Sequence, residues 1–119
     1  MFNVIIWVDK NFTNYDLLKD KCDFLLSKKE KEDLCILSTG ENSLVEKYAL
    51  ESGIKFKEIK ADWDNKGSKA GYYRNTHLTD LGNAIIFFYG PDSENKGAKL
   101  LKNMSSEKHL LIREVKEDE

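Results

Sequence analysis

The residues best suited to chemistry fall within residues 61–75, which read ADWDNKGSKAGYYRN. This short stretch combines acids, an indole, two glycines, a guanidinium and amide side chains, a mixture that a plain core helix does not need. Glycine lets a ligand approach the backbone closely, Arg74 can grip an anion with its planar fork, and Asn75 can form directional hydrogen bonds. The stretch therefore predicts a helix that begins beside a ligand.

The composition bounds the class of protein that must hold this stretch. The chain has 119 residues, of which 40% are hydrophobic and 34% charged, and its net charge is −2. This length fits one domain, and the charge argues against a nucleic-acid coat, which would need a basic excess. No apolar run approaches the roughly 20 residues of a membrane span. We therefore expect a single domain over residues 1–119 that neither binds nucleic acid nor associates with a membrane.

The start of the chain and the cysteines indicate a compartment. Residues 2–8 lack the basic region and the cleavage site of a signal peptide. Cys22 and Cys35 have no companion cysteine or histidine at metal-ligand spacing. We therefore expect two buried, reduced thiols in a cytoplasmic protein and no metal site.

Strand-like and helix-like segments alternate along the chain. Apolar, β-branched runs mark residues 2–8, 34–38, 54–59, 84–89 and 110–115, and helical spacing marks the segments between them. Such alternation predicts an α/β fold, namely a Rossmann-like open, mostly parallel sheet of about five strands with helices on both faces. The third strand alternates polar and apolar residues, so we place it near an edge. Residues 116–119 are expected to form a polar tail.

Several side chains carry packing predictions. Thr13 or Asn14 is expected to cap the first helix, and Phe24 belongs to the apolar stripe of that helix. We expect Trp63 to be buried beneath its loop, the alternative being a stack on a base. Of the adjacent Tyr72 and Tyr73, one is expected in the core and the other at the cleft.

The ligand site is predicted from topology before any motif. In a parallel sheet, ligands bind beyond the carboxyl ends of the strands, where the strand order reverses. Four predicted loops meet at that edge, and their polar and glycine residues are the candidate ligand-binding residues. They are Asp9, Lys10, Thr39, Gly40, Glu41, Asn42, Gly71, Arg74, Asn75, Tyr89, Gly90 and Gly97.

Alternatives stay open at most of these positions. The backbone N–H groups of Thr39 and Gly40 suit a phosphate at a helix start, or equally a plain cap. Arg74 suits an anion or a surface ion pair, and Asn75 suits a base edge or the fixing of a loop. Gly90 suits close approach to a ligand or an ordinary turn before proline.

The sequence offers few residues in an arrangement typical of a catalytic site. His77 lies on the predicted helix after the opening stretch, and His109 is expected to begin the last strand. Neither has a neighbouring serine or cysteine in a nucleophile context. Glu46 lies inside a predicted helix, which favours a solvent role. No Gly-x-Gly-x-x-Gly or Walker-type loop is present. We therefore predict no catalytic residue and no cofactor.

The order and spacing of several motifs are shared with a known family. The chain resembles the small single-domain branch of the SLOG superfamily, the YspA-like, YpsA-related proteins of bacteria and their phages, over about residues 2–115. The most specific matches lie in the opening stretch, and weaker ones follow the first, second and fourth strands. They are Ala61-Asp62-Trp63, Gly67, Ala70-Gly71 and Arg74-Asn75, then Asp9-Lys10-Asn11-Phe12-Thr13, Ser38-Thr39-Gly40, Glu46-Lys47-Tyr48-Ala49, Phe88-Tyr89-Gly90 and Gly97-Ala98.

The resemblance implies a Rossmann-like domain that binds a nucleotide or a nucleotide-derived small molecule over the strand ends. Thr39 and Gly40 would face phosphate, while Arg74 and Asn75 would line the pocket. Two alternatives accompany it, a weak N-glycosidase-type nucleotide hydrolase and a protein-interaction domain with a degenerate pocket. The chain lacks the hydrolase branch's Gly-Gly-x-Gly-Thr, and Glu41 would repel a phosphate. Related folds often associate through helices, so a homodimer is a further expectation.

Overall fold

A five-stranded sheet forms the centre of the molecule in the computed structural model, which describes residues 1–91 and 96–117. All of its strand pairs are parallel, and the order across the sheet is β3-β2-β1-β4-β5. The α/β prediction is confirmed, including the place of β3 at an edge. The strands are β1 (Phe2–Val8), β2 (Leu34–Ser38), β3 (Lys55–Glu58), β4 (Ala84–Tyr89) and β5 (Leu111–Lys116).

Helices connect the strands on both faces of the sheet. They are α1 (Tyr15–Leu25), α2 (Leu44–Ser52), α3 (Trp63–Lys66), α4 (Ala70–Leu81) and α5 (Lys96–Glu107). Helices α1 and α2 share one hydrophobic core, and α4 and α5 share the other. The chain runs outward from β1 to β3 and then returns to β4, so right-handed crossovers place the later helices on the opposite face.

Strand β1 supplies both cores because successive side chains alternate across a sheet. Val4 and Ile6 pack with the α1 and α2 side, whereas Ile5 and Trp7 pack with the α4 and α5 side. A strand covered on both faces needs a continuous apolar run, as residues 4–8 provide. Cys22 and Cys35 are buried, free thiols in opposite cores, which confirms that part of the prediction.

The helix ends follow from local chemistry. The Asn14 side chain accepts a hydrogen bond from the Leu17 N–H at 3.1 Å and so caps α1. Gly53 ends α2 with φ of 71°, a left-handed conformation that glycine adopts without steric cost. The Asn14 cap agrees with the prediction that Thr13 or Asn14 caps the first helix.

Three predictions of detail are wrong. Phe24 lies on the exposed side of α1, because the buried stripe of this helix runs through Leu18 and Cys22. His109 lies in the turn before β5, with φ of 62°, and does not begin the strand. Lys116 does not belong to a free tail, because its pairing with Tyr89 makes it the last residue of β5.

The residue after β5 contributes to the opposite end of the chain. A carboxylate oxygen of Glu117 accepts hydrogen bonds from the backbone N–H groups of Thr13 at 2.8 Å and Asn14 at 2.6 Å. These groups precede α1, where the helix end favours negative charge. Glu117 therefore fastens the β1–α1 loop. In the part of the chain covered by the structure, no helix combines the length and apolarity needed to cross a membrane.

Candidate functional site

Strand order reverses between β1 and β4, so the helices that follow these two strands lie on opposite faces of the sheet. The loops that lead into those helices nevertheless lie in close contact. A Cβ added to Gly90 would lie 3.1 Å from both the carbonyl carbon of Asn11 and the backbone nitrogen of Phe12. The glycine thus permits close contact between two loops of the chain itself.

A cavity of about 240 Å³, here termed the Arg74 cavity, lies where α4 and α5 begin. It brings together five of the predicted site residues, which are Glu41, Gly71, Arg74, Asn75 and Gly97. Its remaining walls are Trp7, Tyr72, Leu100 and Leu101. Loops and helices that are far apart in the sequence therefore converge on one concave surface with mixed aromatic, apolar and polar walls.

Arg74 is the principal charged group of this cavity. Its side chain is only 14% exposed. The guanidinium Nε donates to the Asn75 side-chain oxygen at 3.3 Å, and Nη1 lies 3.7 Å from a carboxylate oxygen of Glu41. Among the described residues, no hydrogen bond engages the two terminal nitrogens. A partly desolvated guanidinium with unused donors is well suited to bind an anion.

Asn75 positions this guanidinium. Its side chain is buried in the second turn of α4, and its oxygen receives the Nε hydrogen bond of Arg74. The contact restrains the guanidinium plane, leaving the terminal nitrogens directed elsewhere. The Asn75 side chain and the Arg74 guanidinium are therefore expected to hold one fixed orientation relative to each other.

A second, more open cavity of about 340 Å³, here termed the Lys10 cavity, lies beside the β1–α1 loop. Its walls are Lys10, Phe12, Thr13, Glu41, Asn42, Ser43 and Leu44. Lys10, Glu41 and Asn42 were predicted as site residues. Glu41 is the one described residue that lines both cavities, so the two cavities meet at this residue.

Asn42 ties the first two loops together. Its amide nitrogen donates to the backbone oxygens of Asp9 at 2.8 Å and Phe12 at 3.1 Å, and its oxygen accepts the Leu44 N–H at 3.0 Å. Both N–H donors of the side chain are therefore used within the protein. Asn42 acts as a positioning residue for the walls of the Lys10 cavity.

Asp9 is a buried acid at the end of β1, with 7% of its surface exposed. One carboxylate oxygen accepts the Asn11 N–H at 3.2 Å. The other oxygen is buried and has no hydrogen-bond partner within the described chain. Burying a carboxylate oxygen without a hydrogen-bond partner costs free energy. Asp9 bears this cost at the point where the strand order reverses, which distinguishes it from the other buried polar residues.

Five of the predicted residues line neither cavity: Asp9, Thr39, Gly40, Tyr89 and Gly90. The Gly40 N–H donates to the Ser38 hydroxyl at 3.0 Å, and a Cβ on Gly40 would meet the Glu58 side chain. Helix α2 begins only at residue 44, so the Thr39 and Gly40 N–H groups do not form its first turn.

Tyr89 is buried within the core beneath α5. Burial raises the pKa of Tyr89, and its hydrogen bond to the neighbouring Glu114 raises the pKa further. The Tyr89 phenol therefore stays neutral, and its hydroxyl interacts with Glu114 of β5.

The aromatic predictions near the opening stretch need correction. Trp63 is 60% exposed, not buried, because it begins the separate short helix α3 at the surface. It lies over Gly71, where a Cβ would be 3.7 Å from the indole. Tyr73 is also exposed, so neither tyrosine of the pair is in the core. Tyr72 lies in the Arg74 cavity.

Sequence reasoning missed the apolar walls of the site. Trp7 and Leu101 read as ordinary core residues, and both are indeed largely buried. The one available signal was the position of Trp7 near the carboxyl end of the central strand. No protein-family model matches the chain, and no curated protein and no solved structure matches it either.

Proposed function

We propose that this protein binds a nucleotide or a nucleotide-derived small molecule in the Arg74 cavity, without a catalytic step. The observation that carries the proposal is the Arg74 guanidinium, which is largely buried and whose terminal nitrogens make no hydrogen bond to the described residues, Nη1 having only the 3.7 Å ion pair with Glu41. A phosphate can accept two parallel hydrogen bonds from such a group. Desolvation strengthens that attraction relative to water.

The remaining walls suit the rest of a nucleotide. Trp7 and Tyr72 provide aromatic surface, and Leu100 provides apolar surface. A base can pack against such a surface while its phosphate binds Arg74. The resemblance to the YspA-like branch of the SLOG superfamily, to which we propose this chain belongs, supports the same class of ligand.

Two competing functions receive less support. A hydrolase would need an acid, base or nucleophile directed at the ligand. Neither His77 nor His109 lines the Arg74 cavity, and the carboxylate that does, that of Glu41, forms an ion pair with Arg74. A degenerate pocket would be filled by side chains, yet the cavity keeps about 240 Å³ beside Glu41. Binding is therefore the function that we favour.

The experiment that tests this proposal measures nucleotide affinity by isothermal titration calorimetry on the wild type and on Arg74→Ala. We expect the substitution to weaken binding at least ten-fold, because a charge-assisted hydrogen bond contributes about 1.5–3 kcal/mol. Arg113→Ala is the matched control, since Arg113 is exposed on β5 and lines neither cavity. Equal affinity in the wild type and Arg74→Ala would refute the proposal, as would the failure of every nucleotide to bind the wild type.

A further inference from the structure

Glu41 occupies an unusual position between the two cavities. It lines the Arg74 cavity on one side and the Lys10 cavity on the other. Its carboxylate lies 3.7 Å from Arg74 Nη1, which exceeds hydrogen-bond distance. The acid thus faces the same guanidinium that the proposed ligand would use, and it does so through a long, loose contact.

The backbone at Glu41 is held, but its side chain is not. The adjacent Asn42 fastens this loop to Asp9 and Phe12, and the Gly40 N–H is bound to Ser38. By contrast, the Glu41 side chain is 46% exposed, and among the described residues its polar interactions are limited to the ion pair with Arg74. A half-exposed ion pair contributes little, so rotation of this side chain requires little energy.

The volumes of the two cavities suggest why Glu41 lies where they meet. Ligand pockets usually enclose about 300–1,000 Å³. The Arg74 cavity, at about 240 Å³, falls below that range, and the Lys10 cavity, at about 340 Å³, is near its lower limit. Joined by the removal of the Glu41 side chain, the two would form a cleft of ordinary ligand size across the ends of β1 and β2.

We infer that Glu41 is a movable partition, which a phosphate displaces from Arg74 so that the two cavities become one. This inference rests on the proposed function and extends it to a ligand class, namely nucleotides with at least two phosphate groups. One phosphate binds Arg74, and the second reaches the Lys10 cavity, where Lys10 and Ser43 line the wall.

The partition also determines specificity. A small anion must displace the Glu41 carboxylate and gains only Arg74 in return. A nucleoside diphosphate faces the same competition but gains the charge of Lys10 in addition. Glu41 therefore discriminates against inorganic phosphate and in favour of the extended ligand.

The test compares Glu41→Gln with the wild type by calorimetric titration of inorganic phosphate. The substitution keeps the shape of the side chain and removes its charge. We expect about five-fold tighter phosphate binding, the upper range for loss of an exposed ion pair. Glu46→Gln is the matched control, because Glu46 is an exposed acid of α2 that lines neither cavity.

A second variant tests the span of the ligand. Lys10→Ala should weaken a nucleoside diphosphate about ten-fold while leaving the matching monophosphate within two-fold, because only the diphosphate reaches Lys10. An equal effect on both ligands, or on neither, would overturn the inference, as would phosphate affinity in Glu41→Gln equal to that in Glu46→Gln. If either occurs while Arg74→Ala still loses binding, the partition is wrong and the proposed function stands. Unchanged binding in Arg74→Ala would remove both.

Discussion

Asn42 shows how one side chain can shape the wall of a cavity through hydrogen bonds within the protein. Its amide joins the β1–α1 loop to the β2–α2 loop through the carbonyls of Asp9 and Phe12. The sequence identified Asn42 as a ligand contact because polar residues at strand ends often bind ligands. Only the three-dimensional contacts show that its hydrogen-bonding groups are already engaged.

Replacement of Asn42 by alanine should therefore affect stability and binding together. We expect Asn42→Ala to lower the free energy of unfolding by about 1–3 kcal/mol, because it removes the side-chain hydrogen bonds to the Asp9 and Phe12 carbonyls and to the Leu44 N–H. Urea denaturation measures this change. Ser43→Ala is the control, since the Ser43 side chain makes no capping hydrogen bond to α2. Equal unfolding midpoints for the two variants would contradict the assigned role.

The same scale shows which parts of the site were predictable. Arg74 and Asn75, which line the Arg74 cavity, could be singled out in the sequence because a guanidinium and an amide beside glycines are rarely required by a core. Trp7 and Leu101 were not found, because an apolar wall of a cavity and an apolar core residue have the same composition. Exposure was likewise hidden, since the local sequence at Trp63 does not reveal that α3 projects to the surface.

At the scale of elements, α5 is joined to β5 by a polar contact as well as by its core residues. Lys102 of α5 forms an ion pair with Glu114 of β5, and Glu114 also pairs with Tyr89. The hydrogen bond from Lys102 lowers the pKa of Glu114 below 4.5, against the opposing effect of burial, and the Tyr89 hydroxyl lowers it further. This contact fixes the strand that follows the α5 wall of the Arg74 cavity.

The lowered pKa gives a pH dependence with a definite sign. A depressed folded-state pKa stabilises the protein above pH 4.5, and this stabilisation is lost as the pH falls through the folded-state value. Glu114→Gln should therefore reduce stability at pH 7 and flatten its dependence on pH below 4.5. Urea midpoints measured from pH 7 to pH 3 provide the test, with Glu107→Gln as an exposed acid of α5 for control. Parallel curves for Glu114→Gln and the wild type would contradict the expectation.

At the scale of the whole molecule, alternation of strands and helices was enough to predict the architecture. Each apolar run had the length of a strand, and a parallel sheet needs a helix in each crossover. The place of β3 at the edge followed from its exposed lysines. The sequence could not show that β4 pairs with β1 instead of β3, because strand order depends on which helices pack together across the faces.

The reactivity of the two cysteine thiols measures whether the two hydrophobic cores remain packed. Cys22 and Cys35 are buried in opposite cores, and burial raises the pKa of Cys22. Because a thiolate is the reactive species, we expect neither thiol to react with a thiol-specific reagent in the native protein. Reactivity should appear along the urea unfolding transition measured by circular dichroism. Rapid labelling of either thiol without urea would show that its core opens locally.

The Glu117 contact sets an order of events during synthesis. Thr13 and Glu117 are 104 residues apart, and the backbone contact of Asn3 with Asn83 spans 80 residues. On the ribosome, β1 can pair with β2 early, but its other edge has to wait for β4, and the loop after β1 has to wait for Glu117. Contacts of such long range slow folding. The loop that borders the Lys10 cavity thus emerges before β4 and Glu117 but acquires its final shape only after both.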